Sequence, residues 1–217
     1  MKKQVLLFFL LVAYHFVHAQ QVNVYLIGGQ SNATGQGRVE NLPQSFVANP
    51  NVRIFYSAYT NEGKNGMKWI SLCPASESPE RFGTELSLGN VLQTLYPEQK
   101  VALIKHALSG SNLYEQWNPG NLPGETQGPE YKKFITTVQA GIAALKAQGL
   151  QPVIRAMFWQ QGEADARELA GEQNNQAYGK NLNNFIHQIR KDVECPDMPF
   201  IYGTSIIRRT FSRTTND

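Results

Sequence analysis

The sequence predicts an α/β fold: a three-layer sandwich in which helices cover both faces of a mostly parallel sheet. Two patterns predict it. Short apolar runs alternate with longer segments whose apolar residues recur every three or four positions. Each strong apolar run also ends in glycine beside small polar residues, as strands do where they hand over to a ligand-facing turn. Strands that alternate with helices need crossover connections, and crossovers make neighbouring strands parallel.

The elements follow in order. VNVYLIG at 22–28 is a buried strand closing on Gly28-Gly29, and VRIFY at 52–56 is a weaker one. A helix is predicted from Thr84, a capping residue, to about Leu95, with Leu88, Val91, Leu92 and Leu95 on its apolar face and Pro97 as its stop. VALIKHA at 101–107 is an almost continuous apolar run. Between Glu130 and Gln148, Phe134, Ile135, Val138, Ile142 and Leu145 mark a second helix, ended by Gly149. VIRAMFW at 153–159 is the next strand. A third helix covers about Gln173 to Val193, with Tyr178, Leu182, Phe185, Ile186, Ile189 and Val193 as its stripe. PFIYGTSI at 199–206 is the last strand.

The 217 residues suffice for one globular core and are too few for two large domains. Residues 1–19 have the layout of a secretory signal peptide: Lys2-Lys3, an apolar stretch from Val5 to Val17, then Val17-His18-Ala19. That stretch is short of the ~20 residues a membrane span needs. The mature chain, 20–217, is therefore expected to begin at Gln20 and to work outside the cytoplasm, secreted or periplasmic. Without the two leader lysines, its formal charge falls from +3 to +1. A nearly neutral chain without a basic run has no electrostatic case for nucleic acid. Cys73 and Cys195 leave a disulfide permitted and undemanded, and no metal-ligand spacing appears, so neither a metal nor another cofactor is expected.

Parallel sheets bind ligands at the carboxyl ends of their strands. There the chain reads Gly28-Gly29-Gln30-Ser31-Asn32-Ala33-Thr34-Gly35, then Leu108-Ser109-Gly110-Ser111-Asn112, then Gln160-Gln161-Gly162-Glu163-Ala164-Asp165. Familiar glycine motifs fail on detail. No lysine follows Ser31 at a P-loop spacing, the third glycine of a dinucleotide fingerprint is replaced by Glu40, and Ala33 breaks a Gly-x-Ser-x-Gly elbow. By itself Ser31 could equally be a helix cap.

The three segments in order, GGQSNATGQG, ALSGSN followed by Trp117, and WQQGEAD, resemble the SGNH (GDSL-like) hydrolase superfamily. More narrowly, they are similar to its sialate O-acetylesterase and acetylxylan esterase branch, which carries Gly-Gln-Ser-Asn in place of Gly-Asp-Ser. The resemblance runs from about Val22 to the end and implies a flavodoxin-like sheet. It implies Ser31 as nucleophile, with the backbone N–H groups of Ser31 and Gly110 and the side-chain amide of Gln161 as oxyanion donors. Gln30 and Asn32 flank the nucleophile; Glu163 and Asp165 are expected to order the loops. The implied partner is an acetylated carbohydrate. Tyr114 and Trp117 are candidates for stacking on a sugar ring, as is Trp69 less strongly, in loops at 57–83 and 116–128 that should wall the crevice.

A serine hydroxyl needs a base, usually histidine oriented by aspartate. The family supplies both from an Asp-x-x-His block after the last strand and one more helix, and these 217 residues contain none. The sequence therefore reads as an esterase domain incomplete at its C-terminal end, with impaired activity. A non-catalytic secreted carbohydrate-binding protein is the alternative. His106, at a strand end, and His187, on the last helix, are read as structural or surface residues.

Overall fold

The computed structural model describes residues 19–57, 66–167 and 172–203. The leader reading and the end of the last predicted strand lie outside these. The strands are β1 (Gln21–Gly29), β2 (Gly37–Arg38), β3 (Arg53–Tyr56), β4 (Ile70–Ser71), β5 (Arg81–Phe82), β6 (Lys100–Ala107), β7 (Gln151–Gln160) and β8 (Phe200–Tyr202). The helices are the one-turn α1 (Ser31–Thr34), then α2 (Thr84–Leu95), α3 (Pro129–Ala147) and α4 (Glu172–Asp192). No helix of the described residues is long and apolar enough to cross a membrane.

Six strands form one sheet in the order β4-β3-β6-β1-β7-β8, parallel throughout except for the antiparallel β3–β4 pair. The mostly parallel α/β architecture is as expected. Its strand order refines the flavodoxin-like expectation, because the first strand lies between β6 and β7. That placement decides the site: Gly29 stands in register with Ala107 on one side and Gln160 on the other. Three turns that lie far apart in sequence therefore leave the sheet side by side.

Alternation along the strands sorts the core into two faces. Val22, Val24 and Leu26 of β1, with Ala102 and Ile104 of β6 and Met157 and Trp159 of β7, face α3 and α4, where Phe134, Val138, Leu145, Leu182, Phe185 and Ile189 cover them. Tyr25 and Ile27, with Val101 and Leu103 of β6, face Leu86 and Leu92 of α2. Cys73 packs on the α2 face and Cys195 on the other, and both are free thiols.

Helix α3 presents its predicted stripe, with Phe134, Val138 and Leu145 buried and Ile135 and Ile142 at its margin. Helix α2 presents half of its own. Its extent matches, and Leu92 is buried with Leu88 packed at the margin, but Val91 and Leu95 are exposed while Glu85, Leu86, Gly89 and Gln93 are buried. Gly89 packs against Leu72 and Val52, which turns the helix away from the expected face. Nor does Thr84 cap it: Gly83 is the N-cap, and its N–H donates to Glu85 Oε1 at 2.8 Å, a side chain reaching back over the helix start.

Candidate active site

The turn after β1 is held from both neighbours. Gln30 N–H donates to the Gln160 carbonyl at 2.8 Å, and Leu108 N–H donates to the Gly29 carbonyl at 3.1 Å. Gly29 sits at φ +135°, and a Cβ there would lie 2.0 Å from the Gln160 oxygen. Only glycine allows strands this close to release their turns together.

Ser31 is the first residue of α1, and Gln30 is the N-cap without a side-chain cap bond. Ser31 is therefore not the helix cap that its sequence context allowed. Its backbone N–H has no acceptor among the described residues, and neither does its hydroxyl. The Ser31 carbonyl, by contrast, is well used: it accepts from Gly35 N–H at 2.9 Å and Thr34 Oγ1 at 2.8 Å. The residue is thus fixed behind and open in front.

The turn after β6 supplies Gly110. It is exposed at φ +75°, with nothing within 4 Å of where a Cβ would stand. Its N–H has no acceptor among the described residues. Ser109 ties this turn to the first, Oγ to Thr34 Oγ1 at 3.1 Å, and Ser109 N–H donates to Glu77 Oε1 at 2.6 Å. Ser111 Oγ donates to the Leu108 carbonyl at 2.6 Å and accepts from Trp117 Nε1 at 2.8 Å.

The turn after β7 corrects one predicted role. Gln161 Nε2 faces three protein acceptors: Asp165 Oδ2 at 2.5 Å, Gln30 Oε1 at 3.2 Å and the Ser111 carbonyl at 3.2 Å. An amide nitrogen has two hydrogens, and both are spent here. Turning the amide over would set its oxygen against the Asp165 carboxylate, so the orientation is fixed. Gln161 thus ties the three turns together instead of presenting a free oxyanion donor. The N–H groups of Ser31 and Gly110 have no such acceptors among the described residues.

The other supporting residues brace loops. Gln30 Oε1 also accepts from Ala164 N–H at 3.1 Å. Asp165 accepts from the N–H groups of Leu113 at 2.9 Å and Tyr114 at 3.1 Å. Glu163 Oε1 accepts from the Asn32 side-chain amide at 2.6 Å, which ties the first turn to the third. Tyr178 donates its hydroxyl to the Gln161 carbonyl at 2.8 Å. Burial, above all, pushes that phenol up to about 12, so it remains a donor at neutral pH.

Trp117 corrects the stacking expectation. It is 0% exposed, packed edge-on to Trp159 with ring centroids 5.0 Å apart. A buried indole cannot stack on a sugar, and its contribution is the bond to Ser111. Trp69 turns away as well, donating Nε1 to the Gly141 carbonyl of α3 at 2.9 Å. Tyr114, whose N–H is held by Asp165, is the candidate that stays open to solvent, at 38% exposure.

Neither described histidine reaches Ser31. His106 is fully buried, Nδ1 paired with Ser57 Oγ at 2.8 Å and Nε2 with Glu130 Oε2 at 2.9 Å. His187 is exposed on α4, nine residues beyond Tyr178, or about 13 Å further down the helix axis at 1.5 Å per residue.

Sequence reading missed what lies beneath the Ser31 turn. Lys105, 1% exposed in the middle of VALIKHA, donates to Glu85 Oε2 at 2.6 Å and to the Thr34 carbonyl at 2.9 Å. The signal was present: a lysine inside an apolar strand must find a partner. Burial pulls its pKa down, and Glu85 works against that shift.

A model of the family "Carbohydrate esterase, sialic acid-specific acetylesterase" matches residues 21–216. No curated protein matches. Among solved structures, the chain is similar to a protein from Arabidopsis thaliana at 17% identity and TM-score 0.61, over 85% of this chain and 74% of that one. It is also similar to NanS at 16% identity and TM-score 0.61, over 87% of this chain and 69% of that one. At such identities the likeness is one of fold.

Proposed function

Because the chain belongs to the carbohydrate esterase family of sialic acid-specific acetylesterases, we propose that it acts on O-acetyl groups of a sugar through Ser31. The mature chain works outside the cytoplasm in this reading. The observation that carries it is the pairing, across adjacent turns, of a serine hydroxyl and two backbone N–H groups, at Ser31 and Gly110, that have no partner among the described residues.

The chemistry is acyl transfer. Ser31 Oγ bonds to the acetyl carbon, the sugar oxygen leaves with a proton, and water then cleaves the acetyl-serine to acetate. The negative oxygen of each tetrahedral intermediate is held by the Ser31 and Gly110 N–H groups, and such a donor is worth about 3 kcal/mol. Tyr114 flanks the sugar. The step this chain supports worst is removal of the Ser31 proton, since His106 is committed to Ser57 and Glu130. Losing a triad base lowers turnover by about 10⁴- to 10⁶-fold, so the rate of acetate release reports whether a base reaches Ser31.

The commitment of His106 to Ser57 and Glu130 also favours a second reading, binding of an acetylated sugar without turnover. Acetate release from O-acetylated sialic acid and from acetylated xylan, compared with Ser31→Ala, decides between them. Slow release abolished by the substitution supports the esterase. Release indifferent to Ser31→Ala overturns it, and calorimetric binding of the sugar with no release supports the second reading.

A further inference from the structure

We propose that the buried Lys105–Glu85 pair is the positioning device of the Ser31 turn, a clamp that fixes the nucleophile and the Gly110 turn relative to one another. The inference rests on the reading of Ser31 as nucleophile and extends it to residues outside the three motifs.

Lys105 lies on β6 in register with Ile27 of β1 and Tyr56 of β3, in the middle of the sheet. Its ammonium is directly beneath α1, 2.9 Å from the Thr34 carbonyl and 2.6 Å from Glu85 Oε2. The other oxygen of Glu85 accepts from Ala75 N–H at 3.0 Å and Gly83 N–H at 2.8 Å, so one carboxylate gathers both ends of the 75–83 loop. That loop then touches the site twice. Ser76 Oγ donates to the Gly35 carbonyl at 2.8 Å, and Glu77 takes Ser109 N–H, next to Gly110. Each of these bonds ends on backbone that carries Ser31 or Gly110, or on the loop that holds that backbone.

Stability alone does not account for the pair. Two fully buried charges cost desolvation that their attraction roughly repays, and apolar replacements of similar volume are often neutral or better. A turn only four residues long cannot hold its own geometry, because helices of that length are not stable by themselves. A charge-assisted bond to its last carbonyl fixes what the local sequence leaves loose.

The test uses the full chain as wild type, Lys105→Met/Glu85→Gln, Glu85→Gln alone, and Leu145→Ala as a core-destabilised control far from the turn. Two rates are read. One is amide hydrogen exchange at Thr34 and Gly35, whose N–H groups bond to Gln30 and Ser31. The other is phosphonylation of Ser31 by a fluorophosphonate, in which the Oγ–P bond forms, fluoride leaves and the serine proton passes to solvent. The double variant should keep its thermal midpoint within a few degrees, exchange at Thr34 and Gly35 at least ~10-fold faster, and label at least ~10-fold more slowly. Leu145→Ala should lower the midpoint and leave labelling at the wild-type rate. Should the double variant not fold, Glu85→Gln, isosteric and still able to accept the loop N–H groups, should shift both rates in the same direction by a smaller factor. Unchanged exchange at Thr34 and Gly35 in the folded variant overturns the clamp. Wild type that does not label at Ser31 overturns the nucleophile reading instead, and the exchange rates still decide the clamp.

Discussion

At the scale of single residues, the site depends on positions that tolerate no substitute. Gly29 is the clearest. At φ +135°, with the Gln160 oxygen 2.0 Å from any Cβ, alanine must push β1 and β7 apart where they share the Gln30–Gln160 bond. Gly29→Ala should cost about 4 kcal/mol or more in urea unfolding. A loss under about 1 kcal/mol would show that the two strand ends are not so tightly joined. Gln161 teaches a related lesson. Its residue type suits an oxyanion donor, yet both of its N–H groups go to Asp165, Gln30 and Ser111. What a polar side chain can do for a substrate depends on what the protein has already asked of it.

At the scale of elements, helix α3 is tied to the sheet by more than its apolar stripe. Glu130, in its first turn, bonds His106 on β6 and Lys133 one turn on, and His106 reaches Ser57 at the end of β3. Burial pushes the Glu130 carboxyl up, but the bonds and charges of His106 and Lys133 outweigh it and hold the net value below the usual range. A lowered pKa means that the fold favours the ionised form. That stabilisation is complete above the ordinary glutamate value of about 4.3 and fades as pH falls through the folded one. Glu130→Gln should therefore be less stable than wild type at pH 7, with the gap closing toward pH 3 in denaturant melts. A gap that stays constant with pH would show that the carboxylate's charge contributes nothing. Helix α2 shows where periodicity misleads: of Leu88, Val91, Leu92 and Leu95, only Leu92 is buried and Leu88 packs at the margin, while Glu85, Leu86 and Gly89 complete the interface. A hydropathy pattern has no means of knowing that a glutamate will be buried on a lysine of another strand.

At the scale of the whole molecule, the central place of β1 turns a chain-order motif into a site. With β6 and β7 in register on its two sides, three turns more than a hundred residues apart from first to last open on one another. The leader reading belongs to this scale too. Exported by a secretion-competent host, the protein should begin at Gln20, and N-terminal sequencing of the exported material checks it. A first residue of Met1 would put the chain's place of work in doubt.

The sequence by itself determined the α/β class, the extents of α2 and α3, the three polar turns and Ser31 as the residue to watch. Those features come from local composition, spacing and recognisable motifs, which a linear string records. Tertiary structure alone decided that Trp117 is a core residue, that Gln161 Nε2 is engaged by Asp165, Gln30 and Ser111, that His106 is bound to Ser57 and Glu130, and that Lys105 and Glu85 meet beneath the Ser31 turn. Each of those outcomes depends on which distant group fills the space beside a side chain and takes its hydrogen bonds, and distance through space is the quantity that a sequence does not carry.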